Sequence, residues 1–217
     1  MMQTKRDADP KLTSLRQGTT DSAAVQGYYD DWADRYDDTL CAWQYRAPED
    51  ACDLLVPHLA GQARVLDVGC GTGLLGRALM QRAAFSVDGI DISPASLRHA
   101  QQRGCYTRLV RHDLQVLPLP VQDDAYDAAA AVGVMSYIAD APGLLRDLCR
   151  VVRSGGMITF TQRTDFWQDR GFAGMIGRLE REGFWTQVKI TQPLDYIPGH
   201  EDFTDEIKVI HTLCKVM

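Results

Sequence analysis

The sequence predicts an α/β domain: a doubly wound, mostly parallel seven-stranded sheet whose last strand is reversed. Three observations carry this. An apolar run, Arg64 to Val68, has the character of a buried parallel strand; it turns through Gly69, Gly71 and Gly73 into an apolar helical pattern of Leu74, Leu75, Ala78 and Leu79. Downstream, single helices separate successive strand candidates, and that alternation builds a parallel sheet through right-handed crossovers. The last two strand candidates have only a loop between them, which makes them antiparallel.

The elements follow in order. Residues 1–20 are polar and mixed in charge and read as a flexible N-terminal tail. Asp21 or Ser22 is placed to cap a helix running to about Asp38 through Tyr28, Tyr29, Trp32 and Tyr36. A second helix is expected from Ala47 to Leu59, with Ala51, Leu54, Leu55 and Leu59 on one face. Residues 21–60 thus form a helical lid or cap segment ahead of a core spanning 61–217, in one domain overall. Core strands are expected at Arg64–Val68, Phe85–Ile90, Thr107–Arg111, Tyr126–Val132 and Met157–Thr161. Helices are expected at 74–82, 94–102 and 142–152, with Ser93 capping the second of these. Phe172, Met175, Ile176 and Leu179 then make a helical stripe stopped by Gly183, and strands Phe184–Ile190 and Ile207–Lys215 complete the sheet.

Composition narrows the function. A chain of 217 residues suits one α/β domain with a full core. The net charge is −6 with no long Lys/Arg run, so no footprint for a nucleic-acid backbone is expected. No apolar run approaches the ~20 residues of a membrane span, and the N-terminus has no signal-peptide core. Six cysteines without a C-x-x-C pair fit reduced, cytoplasmic thiols, and five histidines without H-x-x-x-H spacing leave no expected metal site.

The strand–glycine–helix turn brings backbone N–H groups close to a ligand. Gly71-Thr72-Gly73-Leu74-Leu75-Gly76 satisfies the dinucleotide pattern G-x-G-x-x-G. Asp67, Gly69, Gly71 and Gly73 also satisfy acid-x-Gly-x-Gly-x-Gly. A carboxylate beside the loop tolerates cations and repels phosphates; the plainer role for Asp67 is hydrogen bonding to loop amides. Asp91 lies at the expected end of the second strand, where it accepts from both hydroxyls of a ribose. A strand-end acid capping the next helix is the alternative. Asp113 follows the third strand, where its plain reading is a surface loop acid. A fourth segment runs from Tyr126-Asp127 through an apolar strand to Val132-Gly133 and the loop Val134-Met135-Ser136-Tyr137.

These four ordered segments resemble the motifs of class I S-adenosylmethionine (SAM)-dependent methyltransferases. The resemblance covers roughly residues 25–215 and implies their Rossmann-like fold, with SAM as cofactor and S-adenosylhomocysteine as product. Carried over position by position, it implies cofactor contacts at Asp67, Gly69, Cys70, Gly71, Gly73, Asp91, Ile92, Asp113, Leu114, Val132 and Gly133. A narrower resemblance, to the Williams–Beuren-region methyltransferase-like proteins and their bacterial relatives, rests on Tyr29 through Asp37, Gln44 through Pro48, Arg163-Thr164-Asp165, Arg178-Leu179-Glu180 and Ile207-Lys208-Val209. It names no substrate.

The expected reaction is in-line transfer of a methyl group to a small molecule, with the protein supplying alignment and desolvation. Substrate-side candidates are Tyr28, Tyr29, Trp32, Tyr36 and Tyr45 as an aromatic lid, with Tyr137 and Arg163 near strand ends. Plain core packing is the alternative for the aromatics, and a surface ion pair for Arg163. His112 is the one neutral base candidate there. Two other functions fit less of the chain. An NAD(P)-linked oxidoreductase rests on the G-x-G-x-x-G overlap but lacks a Tyr-x-x-x-Lys pair; a non-catalytic SAM-binding protein would share the whole cofactor site.

Overall fold

The computed structural model describes residues 18–200, 203 and 206–217. In chain order it contains α1 (Ser22–Ala42), α2 (Ala47–Leu55), β1 (Arg64–Val68), α3 (Leu74–Met80), β2 (Ser86–Asp91) and α4 (Pro94–Gln102). Then come β3 (Arg108–Arg111), β4 (Tyr126–Ala131), α5 (Ala141–Val151), β5 (Val152–Arg163), α6 (Thr164–Asp169) and α7 (Phe172–Arg181). The last elements are β6 (Trp185–Ile190), β7 (Leu194–Asp195) and β8 (Lys208–Val216).

β1 is apolar on both faces because it lies mid-sheet, parallel to β2 on one side and β4 on the other. The strand order is β3-β2-β1-β4-β5-β8-β6, with β8 antiparallel to both its neighbours. The reversed last strand is therefore inserted between β5 and β6. The sheet has eight strands rather than the expected seven. The additional one, β7, pairs with Lys208 and Val209 of β8, whose other edge is taken by β5, so β7 continues the row that β6 begins.

Alternation along the strands sorts the core into two layers. Leu66, Val68, Ala129, Ala131, Ile158 and Phe160 point toward α5 and α7. Val65, Ala128, Ala130 and Met157 point toward α2 and α3. Four alanines in β4 let both helical layers approach the sheet centre closely.

Element ends differ from the expected ones for local reasons. α2 gives way to a short 3-10 turn over Val56–His58, where Pro57 lacks the N–H an α-helix needs. α1 extends past Asp38 to Ala42 and buries Leu40. The sequence reading missed α6 and the 3-10 turn Met135–Tyr137, each too short to show a period. The expected tail at 1–20 lies outside the described residues except for 18–20. No helix among the described residues is long and apolar enough to cross a membrane.

Candidate active site

The chain leaves β1 for β2 on one side and reaches β4 on the other, and a cleft opens at the C-terminal ends of these strands, as it does at such reversals of order. The loop after β1 forms its floor. Gly69 (φ +72°) packs where a Cβ would lie 2.3 Å from Val134 Cγ2, so only glycine fits there. Gly71 (φ +52°) faces open space, with nothing within 4 Å of a Cβ position.

The loop's amides are largely committed within the protein. Gly69 and Cys70 N–H both donate to the Ile90 carbonyl (2.8 and 3.0 Å), and Gly73 N–H donates to Cys70 O (2.9 Å). Gly71 N–H donates to Asp91 Oδ2 (2.8 Å), and Ser93 N–H donates to Asp91 Oδ1 (2.8 Å). The loop therefore offers few donors to a pyrophosphate and presents carboxylates instead.

Two connected lobes make up the cleft. The larger encloses about 640 Å³ including its open mouth; Asp91, Ile92, Asp113, Leu114, Val132 and Gly133 form one wall, and Tyr29, Tyr36 and Tyr137 the other. The smaller lobe runs under Tyr36 and Tyr45 to Asp67, Cys70 and Thr72. Asp67 is 2% exposed, and burial pushes its carboxyl up to about 7 against the opposing hydrogen bond from Tyr106 Oη (2.7 Å). Burial also raises Asp91, which its hydrogen bonds to the Ser93 and Gly71 amides oppose. Asp113, which lines the larger lobe, accepts from Gln115 N–H through Oδ1 (2.9 Å).

The covering wall comes mainly from α1. Asp21 caps this helix through Ala24 N–H (2.7 Å). Tyr29 and Tyr137 hydroxyls meet at 3.2 Å, and the Tyr45 hydroxyl lies 3.1 Å from where a Cβ on Gly133 would sit. A second face of α1 is acidic. Asp30 accepts from Ser93 Oγ (2.7 Å) and Ala95 N–H (3.1 Å) at the start of α4. Asp34 meets His99 Nε2 at 3.0 Å, and Asp37 accepts from Thr72 Oγ1 (2.6 Å) and pairs with Arg103.

Several expected residues lie elsewhere. His112 is turned away from both lobes, with Nε2 2.7 Å from the Val116 carbonyl, so it is not presented to the cleft. Arg163 is 4% exposed and is neither a surface residue nor a cleft residue. It pairs with Asp165 (2.6 Å) and lies over the Phe166 and Phe203 rings. Trp32 packs among Tyr28, Tyr36 and Trp43, and neither Trp32 nor Tyr28 lines a lobe. Gly73 backs onto Tyr106 rather than the cleft. Sequence reasoning missed Gln115, whose amide donates to the Thr20 and Tyr137 carbonyls (2.8 and 3.0 Å) while lining the cleft. It sits two residues after Asp113, and only that proximity marks it.

The residues present suit a cofactor with cationic groups and no phosphate. Three carboxylates face the cleft, the loop amides are occupied, and α3 is too short to favour an anion at its start. Sheet order and site together define a class I methyltransferase. Residues 65–156 match the family model described as a methyltransferase domain. The chain is 34% identical over 184 residues to methyltransferase-like protein 27 of Homo sapiens, covering 82% of this chain and 74% of that protein. It therefore belongs to the SAM-dependent methyltransferases, in line with both resemblances drawn from the sequence. A malonyl-[acyl-carrier protein] O-methyltransferase of Halorhodospira halophila is 31% identical over 144 residues, covering 64% of this chain but only 48% of that protein. Among solved structures, a TehB-like SAM-dependent methyltransferase from Corynebacterium glutamicum has the same fold (TM-score 0.64, 20% identity, covering 88% of this chain and 99% of that one).

Proposed function

We propose that the chain methylates an uncharged small molecule beneath the α1 lid. The carrying observation is the charge of the cleft: its lining holds Asp67, Asp91 and Asp113 together with tyrosines, and among the described residues it includes no Lys, Arg or His. Carboxylates complement the ammonium and sulfonium of SAM, whereas a carboxylate or phosphate acceptor would meet no counter-ion. Asp91 is assigned the ribose hydroxyls, Asp113 and Leu114 the adenine edge, and Val132 and Gly133 the methionine arm. Bound there, SAM supplies a methyl already activated on sulfur. The chain's own contribution is alignment and exclusion of water. Burial raises the phenols of Tyr29, Tyr36 and Tyr45, so they stay neutral near pH 7 and serve as hydrogen-bonding and aromatic surface rather than as bases. The acceptor's proton then passes to water at the open mouth of the cleft. The unpaired cysteines fit a reducing compartment such as the cytosol.

Titration calorimetry with SAM, S-adenosylhomocysteine, NAD and NADP tests the cofactor; binding of the first two alone is expected. An acceptor panel scored by S-adenosylhomocysteine release tests the substrate class. Phenols, thiols and aryl amines, all neutral near pH 7, are expected to turn over ahead of carboxylates, and turnover confined to carboxylates would overturn the uncharged-acceptor reading.

A further inference from the structure

We infer that Tyr106 is a positioning residue for cofactor binding: its ring fills the space that three glycines leave beneath the loop, and its hydroxyl orients the Asp67 carboxylate toward a cation in the smaller lobe. Tyr106 lies just before β3, behind the glycine loop rather than in the cleft. A Cβ on Gly76 would stand 2.5 Å from its ring carbon Cζ. Cβ atoms on Gly73 and Gly89 would stand 2.9 and 3.0 Å from ring carbons Cε2 and Cε1. Each distance is well inside van der Waals contact, so one aromatic ring closes on three glycines; it alone crowds Gly76, while Arg103 Cδ shares Gly73 (3.0 Å) and Leu109 Cδ2 and Cys70 Sγ stand nearer still to Gly89 (2.7 and 2.9 Å).

The polar end of the ring completes the arrangement. Gly76 N–H donates to Tyr106 Oη (3.3 Å), and that hydroxyl donates to Asp67 Oδ2 (2.7 Å). A first-turn helix amide is thereby linked through one phenol to a buried carboxylate. Gly76 is also the residue that completes the G-x-G-x-x-G pattern. Here it makes room for Tyr106, which explains how the dinucleotide pattern appears in a methyltransferase.

Among the described residues, the groups facing Asp67 include no cation. They are Tyr106 and Cys105 ahead of β3, Asp91 at the end of β2, Cys70 in the loop and Cys52 on α2. Burial and Asp91 disfavour the carboxylate, and the Tyr106 hydrogen bond favours it, leaving the group balanced at about 7. A ligand ammonium entering this lobe supplies the missing positive charge and draws Asp67 into its ionised form. This rests on SAM occupying the cleft.

The test is S-adenosylhomocysteine affinity by calorimetry across pH, in wild type, Tyr106→Phe and Asp67→Asn. In wild type, affinity should rise with pH through about 7 as Asp67 ionises. Tyr106→Phe keeps the ring that supports the loop and loses the hydroxyl. Its midpoint should move up by about one pH unit, with affinity recovering toward wild type at the alkaline end. Asp67→Asn should bind more weakly and lose this pH dependence. An unchanged midpoint in Tyr106→Phe, or a loss equal at every pH, would overturn the role of the hydroxyl. Absence of binding in wild type at any pH would instead overturn the assignment of the cleft. The thermal midpoints of the free variants check that both fold.

Discussion

Asp91 serves the loop and the cleft at once. Its two oxygens hold the Gly71 and Ser93 amides, yet a carboxylate has about four acceptor positions, so two remain for a ribose. Asp91→Ala is expected to weaken S-adenosylhomocysteine binding by about 2–4 kcal/mol, from roughly two charge-assisted hydrogen bonds. Asp91→Asn retains one acceptor oxygen and should lose less; calorimetry on both variants measures this, and unchanged affinity in the alanine variant would refute the ribose assignment. The position of Asp91 was legible because the end of a buried strand is marked by where the apolar run stops. Its internal partners were not, since Gly71 and Ser93 become neighbours of its carboxylate only when loop and strand fold together. His112 shows the opposite limit. Its place after β3 made it a base candidate, but a four-residue return to the Val116 carbonyl takes its ring out of reach. His112→Ala should therefore leave S-adenosylhomocysteine affinity unchanged, and a marked loss would return it to the site.

Helix α1 works through two faces that sequence reveals unequally. The aromatic face is periodic, and Tyr29 and Tyr36 reach the cleft while Trp32 packs behind them. The acidic face, Asp30, Asp34 and Asp37, also has helical spacing, but in the sequence it reads as a solvated surface. Its meaning depends on α4, because Ser93, Ala95, His99 and Arg103 lie opposite only in the folded chain. The sheet was more legible than this helix contact, since buried strands carry their own apolar signal. β7 was not, because two residues show no alternation. The contacts of α1 with α4 are polar and partly exposed, and such pairs contribute only about 0–1 kcal/mol each. The helix should therefore open more readily than the core. Adding S-adenosylhomocysteine is expected to slow hydrogen exchange in residues 22–46 more than in α5, as suits a lid that closes over ligand. Equal exchange in both segments with and without ligand would reduce α1 to permanent packing.

Across the whole molecule, burying titratable groups on a sheet packed on both faces sets how stability responds to acid. His211 in β8 is 1% exposed, and neither ring nitrogen meets a hydrogen-bond partner among the described residues. Burial lowers it to about 4, with Asp50 acting weakly in the opposite direction. An unfolded chain binds a proton there below about 6.5, where the folded chain does not. The contribution of His211 is therefore fully present above about 6.5 and is lost as pH falls toward 4, by about 3 kcal/mol. Asp67 runs the other way. Raised to about 7, it takes up a proton on folding, so its contribution is fully present below about 4 and is lost as pH rises through 7. Over the same acid range one group removes stability while the other restores it, and the wild-type profile should be flatter than either alone would make it. Replacing His211 with leucine separates them. Urea unfolding of wild type and His211→Leu at several pH values between about 7.5 and 4 should show the variant gaining on wild type by about 3 kcal/mol as the pH falls. Asp67→Asn should lose the opposing gain and become the more acid-sensitive protein. A difference between His211→Leu and wild type that stays constant with pH would mean that the His211 ring finds a proton acceptor in the fold, and the acid response would then have to come from other groups.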